Sequence, residues 1–304
     1  MEKFEALLAE KRAAINKRID ELLSTGFEQS EANELVKYTF KTGGKRLRPV
    51  LLLLATESVG GNPEHSLDAA AAMEFLHAGS LVFDDLIDKH RLRRNVPTTQ
   101  HAFADDKAIS AGLFLASKGV QILSEYKDAR ITKMVGWGLV DLSKGEILDV
   151  ITELAFDVDH YLTIADLKTG SLFSAAAGIG GMLGEATPAE VDCLYNYGRA
   201  VGIAFQIKDD VLDTSADPER QDKVNLVLMR YLDEATKRER VSTILEKKEN
   251  SVEMAGLREK AVEFALKKSR DHVERAKQQL KGLRGSSNSK LLEEFADYSL
   301  ERRF

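Results

Sequence analysis

The chain has 304 residues, of which 43% are hydrophobic and 30% charged, the balance of a soluble globular protein of one large domain or two. Its net charge of −6 excludes the basic footprint of a nucleic-acid binder. Cys193 is the single cysteine, so no intrachain disulfide forms and a reducing, cytoplasmic compartment is expected.

The elements follow in chain order. Residues 2–23 read as an amphipathic helix, with Phe4, Leu7, Leu8, Ile15, Ile19 and Leu22 at helical spacing. This N-terminus is charged throughout and lacks the apolar centre of a signal peptide. Gly43-Gly44 interrupts before Pro49, and Leu51–Leu54 begin a buried helix. Asp68–Asp88 form a long apolar helix that ends in acids, followed by a polar stretch, Lys89–Thr99. Helical patterns resume at Lys107–Tyr126, Ile131–Leu154 and His160–Leu183. Pro188 suits the first turn of a helix running towards Asp213. After a turn at Asp217-Pro218, residues 223–281 are highly charged helices, and a last helix covers Lys290–Leu300. No run approaches the ~18 apolar residues of a membrane span, and no alternating strand pattern or repeat stands out. The expectation is an all-α fold, one domain over residues 1–304, with the acidic segments sharing one core.

Chemistry concentrates in two acidic motifs. In Asp84-Asp85-Leu86-Ile87-Asp88, Asp84 and Asp88 lie about one turn apart on one helix face. Carboxylates so close repel unless a divalent cation bridges them. Aspartate oxygens suit Mg²⁺, which keeps some waters and completes its shell with substrate phosphate. Asp209-Asp210-Val211-Leu212-Asp213 repeats the spacing after the small-residue helix Val201–Ile207. One such motif also reads as a solvated helix end. Two of them, each ending a core-like helix, point to a diphosphate held through several Mg²⁺ ions. The six aspartates are therefore the candidate metal set. A third signal is cationic: Gly43-Gly44-Lys45-Arg46-Leu47-Arg48-Pro49 and Arg93-Arg94. Glycines let a backbone approach an anion closely, and arginine grips phosphate through a planar fork.

In this order, GGKRLRP, DDLID with a following RR and PT, KT and FQIKDDVLD, the segments resemble the trans-isoprenyl diphosphate synthase family over residues 40 to 223. The resemblance implies an all-α isoprenoid synthase fold with helices around a deep central cavity, a homodimer, and three Mg²⁺ ions per active site. Asp84, Asp88 and Asp209 resemble the magnesium ligands, with Asp85 and Asp213 in support. Arg93 resembles the arginine that holds the allylic diphosphate. Gly44, Lys45, Arg48, His77 and Arg94 resemble the isopentenyl diphosphate site. Lys168, Thr169, Gln206 and Lys223 resemble the groups around the reacting carbons, with Lys168 and Lys223 also on the leaving diphosphate.

The implied reaction is head-to-tail condensation of an allylic diphosphate (dimethylallyl, geranyl or farnesyl) with isopentenyl diphosphate. Ionisation leaves an allylic cation and a departing diphosphate, whose charge must be met where it develops. In this family the position five before the first aspartate faces the elongation tunnel. Here it is Gly79, then Ser80, with Leu76 one turn deeper, so geranylgeranyl diphosphate or a longer product is expected. After Lys223 the usual aspartate and lysine are missing, with Arg230 a substitute cation, and Leu113 stands where an aspartate is common. A non-catalytic subunit of a heteromeric synthase and a terpene cyclase are the rival readings. The first usually loses one acidic motif, and the second lacks the GGKRLRP segment.

Overall fold

Helical spacing of apolar residues and the scarcity of proline produce long helices. The computed structural model describes residues 2–24, 27–41, 43–152, 157–216, 226–227, 230, 252–283 and 289–301; Lys223 lies outside them. The first elements are α1 (Glu2–Ser24), α2 (Ser30–Tyr38), α3 (Leu47–Ser58), a 3₁₀ turn at Pro63–Ser66 and α4 (Leu67–Ile87). A short ribbon, β1 (Leu92–Arg93) and β2 (Val96–Pro97), leads to α5 (Thr99–Ala102), α6 (Asp105–Ser124) and α7 (Ala129–Ile151). Then come α8 (Val158–Ala165), a π-helical turn (Asp166–Gly170), α9 (Ser171–Leu183) and α10 (Pro188–Ala216). Val252–Leu280 and Lys290–Glu301 close the described chain as α11 and α12.

The helices fall into two units, Met1–Gly136 with Ala175–Val191, and Trp137–Ser174 with Asp192–Phe304. In the first, α1 buries Phe4, Leu8, Ile15 and Ile19 of the expected face and also Leu23, while Leu7 and Leu22 are half-buried because they lie at the edge of that face. Helix α4 is buried over Ala69–Leu76. It lies unusually close to α6: a Cβ added at Gly79 would stand 2.9 Å from the Gly112 carbonyl oxygen and 3.2 Å from the Ala116 nitrogen. Phe83 packs over Gly112 and Leu76 over Gly119, so the side chains of one helix fill hollows left by glycines on the other. The expected side chain pointing down a tunnel at position 79 therefore gives way to a helix–helix contact. In the second unit, Tyr161, Ala165, Ile203, Ile207, Val211, Leu226, Val227, Ala261 and Ala265 form a core shared by α8, α10 and α11.

The sequence pattern treats 160–183 as one helix. The structure inserts the π turn there, where the backbone of α7 at Gly145 packs closely against it. A Cβ at Gly145 would stand 2.5 Å from the Lys168 nitrogen. Such single-turn π segments collect at functional sites.

Candidate active site

The first acidic motif ends α4, and its three carboxylates point to different surroundings. Asp84 and Asp88 are half-buried, whereas Asp85 turns inward. Asp85 receives Arg93 through Nε at 3.0 and 2.9 Å and Nη2 at 2.8 Å. Gln100 Nε2 donates to the Asp85 carbonyl at 2.8 Å and to that of His90 at 3.0 Å, which ties the following loop to the helix end. Burial opposes the charge on Arg93, but its bonds to Asp85 and the fields of Asp85, Asp84 and Asp88 hold its pKa above the ordinary arginine value.

Lys89–Thr99, read from sequence as a polar stretch, contains the ribbon. Arg93 pairs with Val96 and Leu92 with Pro97. Arg94 and Asn95 take φ of 51° and 64° at its tip, the conformation of a two-residue hairpin turn matched to strand twist. The turn fixes the backbone from which Arg94 projects.

The glycine-rich segment precedes α3. Gly44 has φ 153°, and a Cβ there would meet Arg46 Nη1 at 2.6 Å and Arg94 Nη1 at 3.3 Å, so the position accepts only glycine. Arg48 Nη1 lies 3.0 Å from His77 Nε2. Arginine only donates, so Nε2 accepts, and the proton of this neutral imidazole sits on Nδ1. Burial first, then the charges of Arg48, Arg93, Arg94 and Arg46, hold His77 well below the usual histidine range. Arg48 thus touches a neutral histidine seven residues before Asp84, and the charges of three further arginines act on it. Ser80 Oγ donates to the His77 carbonyl at 2.9 Å.

In the second unit, Lys168 and Thr169 ride on the π turn. Lys168 Nζ is 2.6 Å from Glu146 Oε2 and 2.8 Å from Asp149 Oδ2, both on α7. Gly170 and Gly202 let α10 approach this turn, with 2.7 Å between a Cβ at 202 and the Gly170 Cα. Thr169 Oγ1 then reaches Gln206 Oε1 at 2.7 Å, and Gln206 Nε2 donates to Asp210 Oδ1 at 3.0 Å. Tyr161 donates its hydroxyl to Asp210 Oδ2, and the Leu226 N–H donates at 3.4 Å. Burial pushes the Asp210 carboxyl up to about 7, against these hydrogen bonds, which favour its charge. Asp209 is half-buried and Asp213 exposed. In both motifs the second aspartate is thus buried, while the first and last are half-buried or exposed.

Among the described residues, no three His, Cys, Asp or Glu side chains converge on a position that holds a metal ion. Arg230 places its guanidinium 5.0 Å from the centroid of the Phe264 ring. Sequence reasoning missed Glu74, Gln100, Glu146, Asp149 and Tyr161, which hold the expected residues in place. Only Glu146 and Asp149 left a trace, two acids three residues apart beside Gly145 on one helix.

The polyprenyl synthetase family model matches residues 29–257. A short chain isoprenyl diphosphate synthase of Methanothermobacter thermautotrophicus is 33% identical over 288 residues, covering 88% of this chain and 89% of the relative. A geranylgeranyl diphosphate synthase of Methanosarcina mazei is 32% identical over 311 residues, covering 95% of each. Among solved structures, the geranylgeranyl pyrophosphate synthetase of Pyrococcus horikoshii superposes with a TM-score of 0.88 at 30% identity, covering 99% of both chains.

Proposed function

This chain belongs to the polyprenyl synthetase family, and we propose that it condenses an allylic diphosphate with isopentenyl diphosphate to give geranylgeranyl diphosphate or a longer product. One observation carries the reading: Arg48 Nη1 lies 3.0 Å from His77 Nε2, and the charges of Arg46, Arg93 and Arg94 also act on that imidazole, on the helix that ends in Asp84 and Asp88. Anion-binding forks and metal-suited carboxylates thus share one short stretch of structure. Relatives named for geranylgeranyl diphosphate support the product length, as does small Ser80 beside Gly79.

The donor set fits Mg²⁺. Asp84 and Asp88 offer hard oxygens one turn apart, and Asp209 and Asp213 do the same on α10, as an ion that takes one or two carboxylates plus substrate phosphate requires. Asp84, Asp88, Asp209 and Asp213 are the residues that would hold it, up to three ions per site. When bound, the metal neutralises charge on the departing diphosphate. Asp85 serves this arrangement by aiming Arg93, and Asp210 by orienting Gln206.

The chain's own residues supply the rest. Arg93 and Lys168, with Lys223 from outside the described residues, meet the charge that develops on the leaving group as the allylic carbon–oxygen bond breaks. Gly44, Lys45, Arg48 and Arg94 grip the diphosphate of isopentenyl diphosphate, with His77 holding Arg48 in place. Thr169 and Gln206 face their oxygen dipoles to the cation. The double bond of isopentenyl diphosphate attacks that cation, and the proton then lost passes to the released diphosphate, the base that the family resemblance implies.

The working unit is a cytoplasmic homodimer in which residues 1–304 act as one domain. Trp137, Val140, Ile147, Val150 and Ile151 are more than half exposed on α7, an apolar stripe of the kind that a partner subunit covers. Cys193 as the only cysteine suits a reducing compartment. No helix among the described residues is long and apolar enough to cross a membrane. The purified chain, alone with dimethylallyl and isopentenyl diphosphates, should release diphosphate in Mg²⁺ and stop in excess chelator. No release in Mg²⁺ would favour a non-catalytic subunit.

A further inference from the structure

We propose that Glu74 and Asn16 are positioning residues that fix Arg46, and through it the Gly43–Pro49 loop, in the shape that receives the diphosphate of isopentenyl diphosphate. This rests on the functional reading given above for Lys45 and Arg48.

Arg46 occupies the left-handed region, with φ 50° and ψ 39°, at the N-terminus of α3. A non-glycine residue holds that conformation only where its surroundings over-determine it. Here they do. Arg46 Nε donates to Asn16 Oδ1 at 2.9 Å, and Nη1 donates to Glu74 Oε1 at 2.8 Å and to the Gly43 carbonyl at 3.2 Å. The guanidinium also lies 5.6 Å from the centroid of the Phe40 ring. Its Nη1 sits directly beneath Gly44, where no side chain fits. Arg46 therefore supports the loop backbone from below.

The counter-charge is as constrained as the arginine. Arg46 and Glu74 expose 8% and 5% of their side chains. A buried pair of this kind contributes little net stability, because desolvation offsets attraction, and its attested use is to specify geometry. Burial pushes the Glu74 carboxyl up, and the charges of Arg46, Arg48 and Arg94 pull it back. Glu74 Oε2 is buried with no hydrogen-bond partner among the described residues, a poor arrangement for a group kept for stability alone.

Placement on α4 completes the argument. Glu74 lies three residues before His77, so both occupy one side of the helix. Glu74 holds Arg46 and His77 holds Arg48. One turn of α4 thus fixes both loop arginines and leaves the backbone at Gly43–Lys45 shaped between them.

The test is steady-state kinetics with each substrate varied in turn, on Glu74→Ala, Glu74→Gln and Asn16→Ala, with calorimetric binding of isopentenyl diphosphate alongside. Glu74→Ala should raise the KM for isopentenyl diphosphate by about tenfold or more, leaving kcat and the allylic KM within about twofold. Glu74→Gln keeps an acceptor for Arg46 and should recover most of that loss. Asn16→Ala, at a half-buried site on α1, should raise the same KM by about threefold. If Glu74→Ala does not fold, Asn16→Ala decides. Turnover by the unaltered enzyme with an unchanged isopentenyl KM in the folded variants overturns the inference alone. A fall in kcat without a change in that KM does the same. No turnover by the unaltered enzyme overturns the functional reading, and the inference with it.

Discussion

Replacing Gly79 by alanine tests the contact on which the α4–α6 pairing rests. The added Cβ would stand 2.9 Å from the Gly112 carbonyl oxygen and 3.2 Å from the Ala116 nitrogen. Ordinary contact begins at about 3.5 Å, so the helices must part by about half an ångström. Both obstructing atoms are backbone, so no rotamer change relieves the clash. Overpacking of this kind costs about 1–3 kcal/mol, and the better helix propensity of alanine returns about 1 kcal/mol. The net loss is at most about 2 kcal/mol, a fall in Tm of up to about 3 °C for a chain of this size. Two further glycines calibrate the result. A Cβ at Gly136, on exposed α7, meets nothing within 4 Å, so Gly136→Ala should raise Tm by about 2 °C. A Cβ at Gly180 would lie 2.3 Å from the Leu52 carbonyl oxygen, so Gly180→Ala should melt lowest of the three. Calorimetry on the three variants reads the order directly. A Gly79→Ala protein melting with or above Gly136→Ala would refute the close approach. The same geometry bears on product length: if Gly79→Phe shortens products, a loss of thermal stability should accompany it.

Four other outcomes follow from the site and the surface. Asp84→Ala and Asp209→Ala should each lower kcat by about a hundredfold or more in Mg²⁺ with circular dichroism unchanged; near-normal turnover in either would remove that residue from the metal set. Arg48→Lys should raise the KM for isopentenyl diphosphate by about tenfold while kcat holds, because charge remains and the fork is lost. Val140→Lys should shift sedimentation of the native protein towards the monomer if the α7 stripe is the subunit face; an unchanged sedimentation coefficient would place that face elsewhere. Burial, then the charges of Arg275 and Lys268, bring His272 down from 6.5 to about 4. The unfolded chain then binds the extra proton first on acidification, so this residue's contribution to stability is full above pH 6.5 and declines towards pH 4. His272→Asn should flatten that part of the pH–stability curve, which urea titrations at several pH values would show.

How far the sequence reached differs from element to element. Helices such as α1 and α4 were legible because their apolar residues recur at helical spacing and their ends carry acids or glycines. The Leu92–Pro97 ribbon was not, since two-residue strands are too short to alternate; only Asn95, a residue tolerant of positive φ, hinted at the turn. The π turn was invisible because apolar spacing does not distinguish a five-residue π segment from the α-helix on either side of it. Spacing placed Asp84 with Asp88 and Asp209 with Asp213 on common faces. It had no means of showing that Asp85 and Asp210 turn inward to Arg93 and to Tyr161 with Gln206. Position 79 misled for a related reason: an absent side chain reads equally as open space or as close packing, and only the neighbouring helix distinguishes them. Glu74, a buried acid in an apolar helix, looked from sequence like one polar residue among many, because its partner Arg46 lies 28 residues away.

The most direct test of the central claim is chromatography of the products that the purified chain forms from an allylic diphosphate and labelled isopentenyl diphosphate. The account predicts label in an all-trans geranylgeranyl or longer diphosphate, formed in Mg²⁺ and lost on chelation. Label that stays in isopentenyl diphosphate, or that appears in a cyclised hydrocarbon, would contradict it.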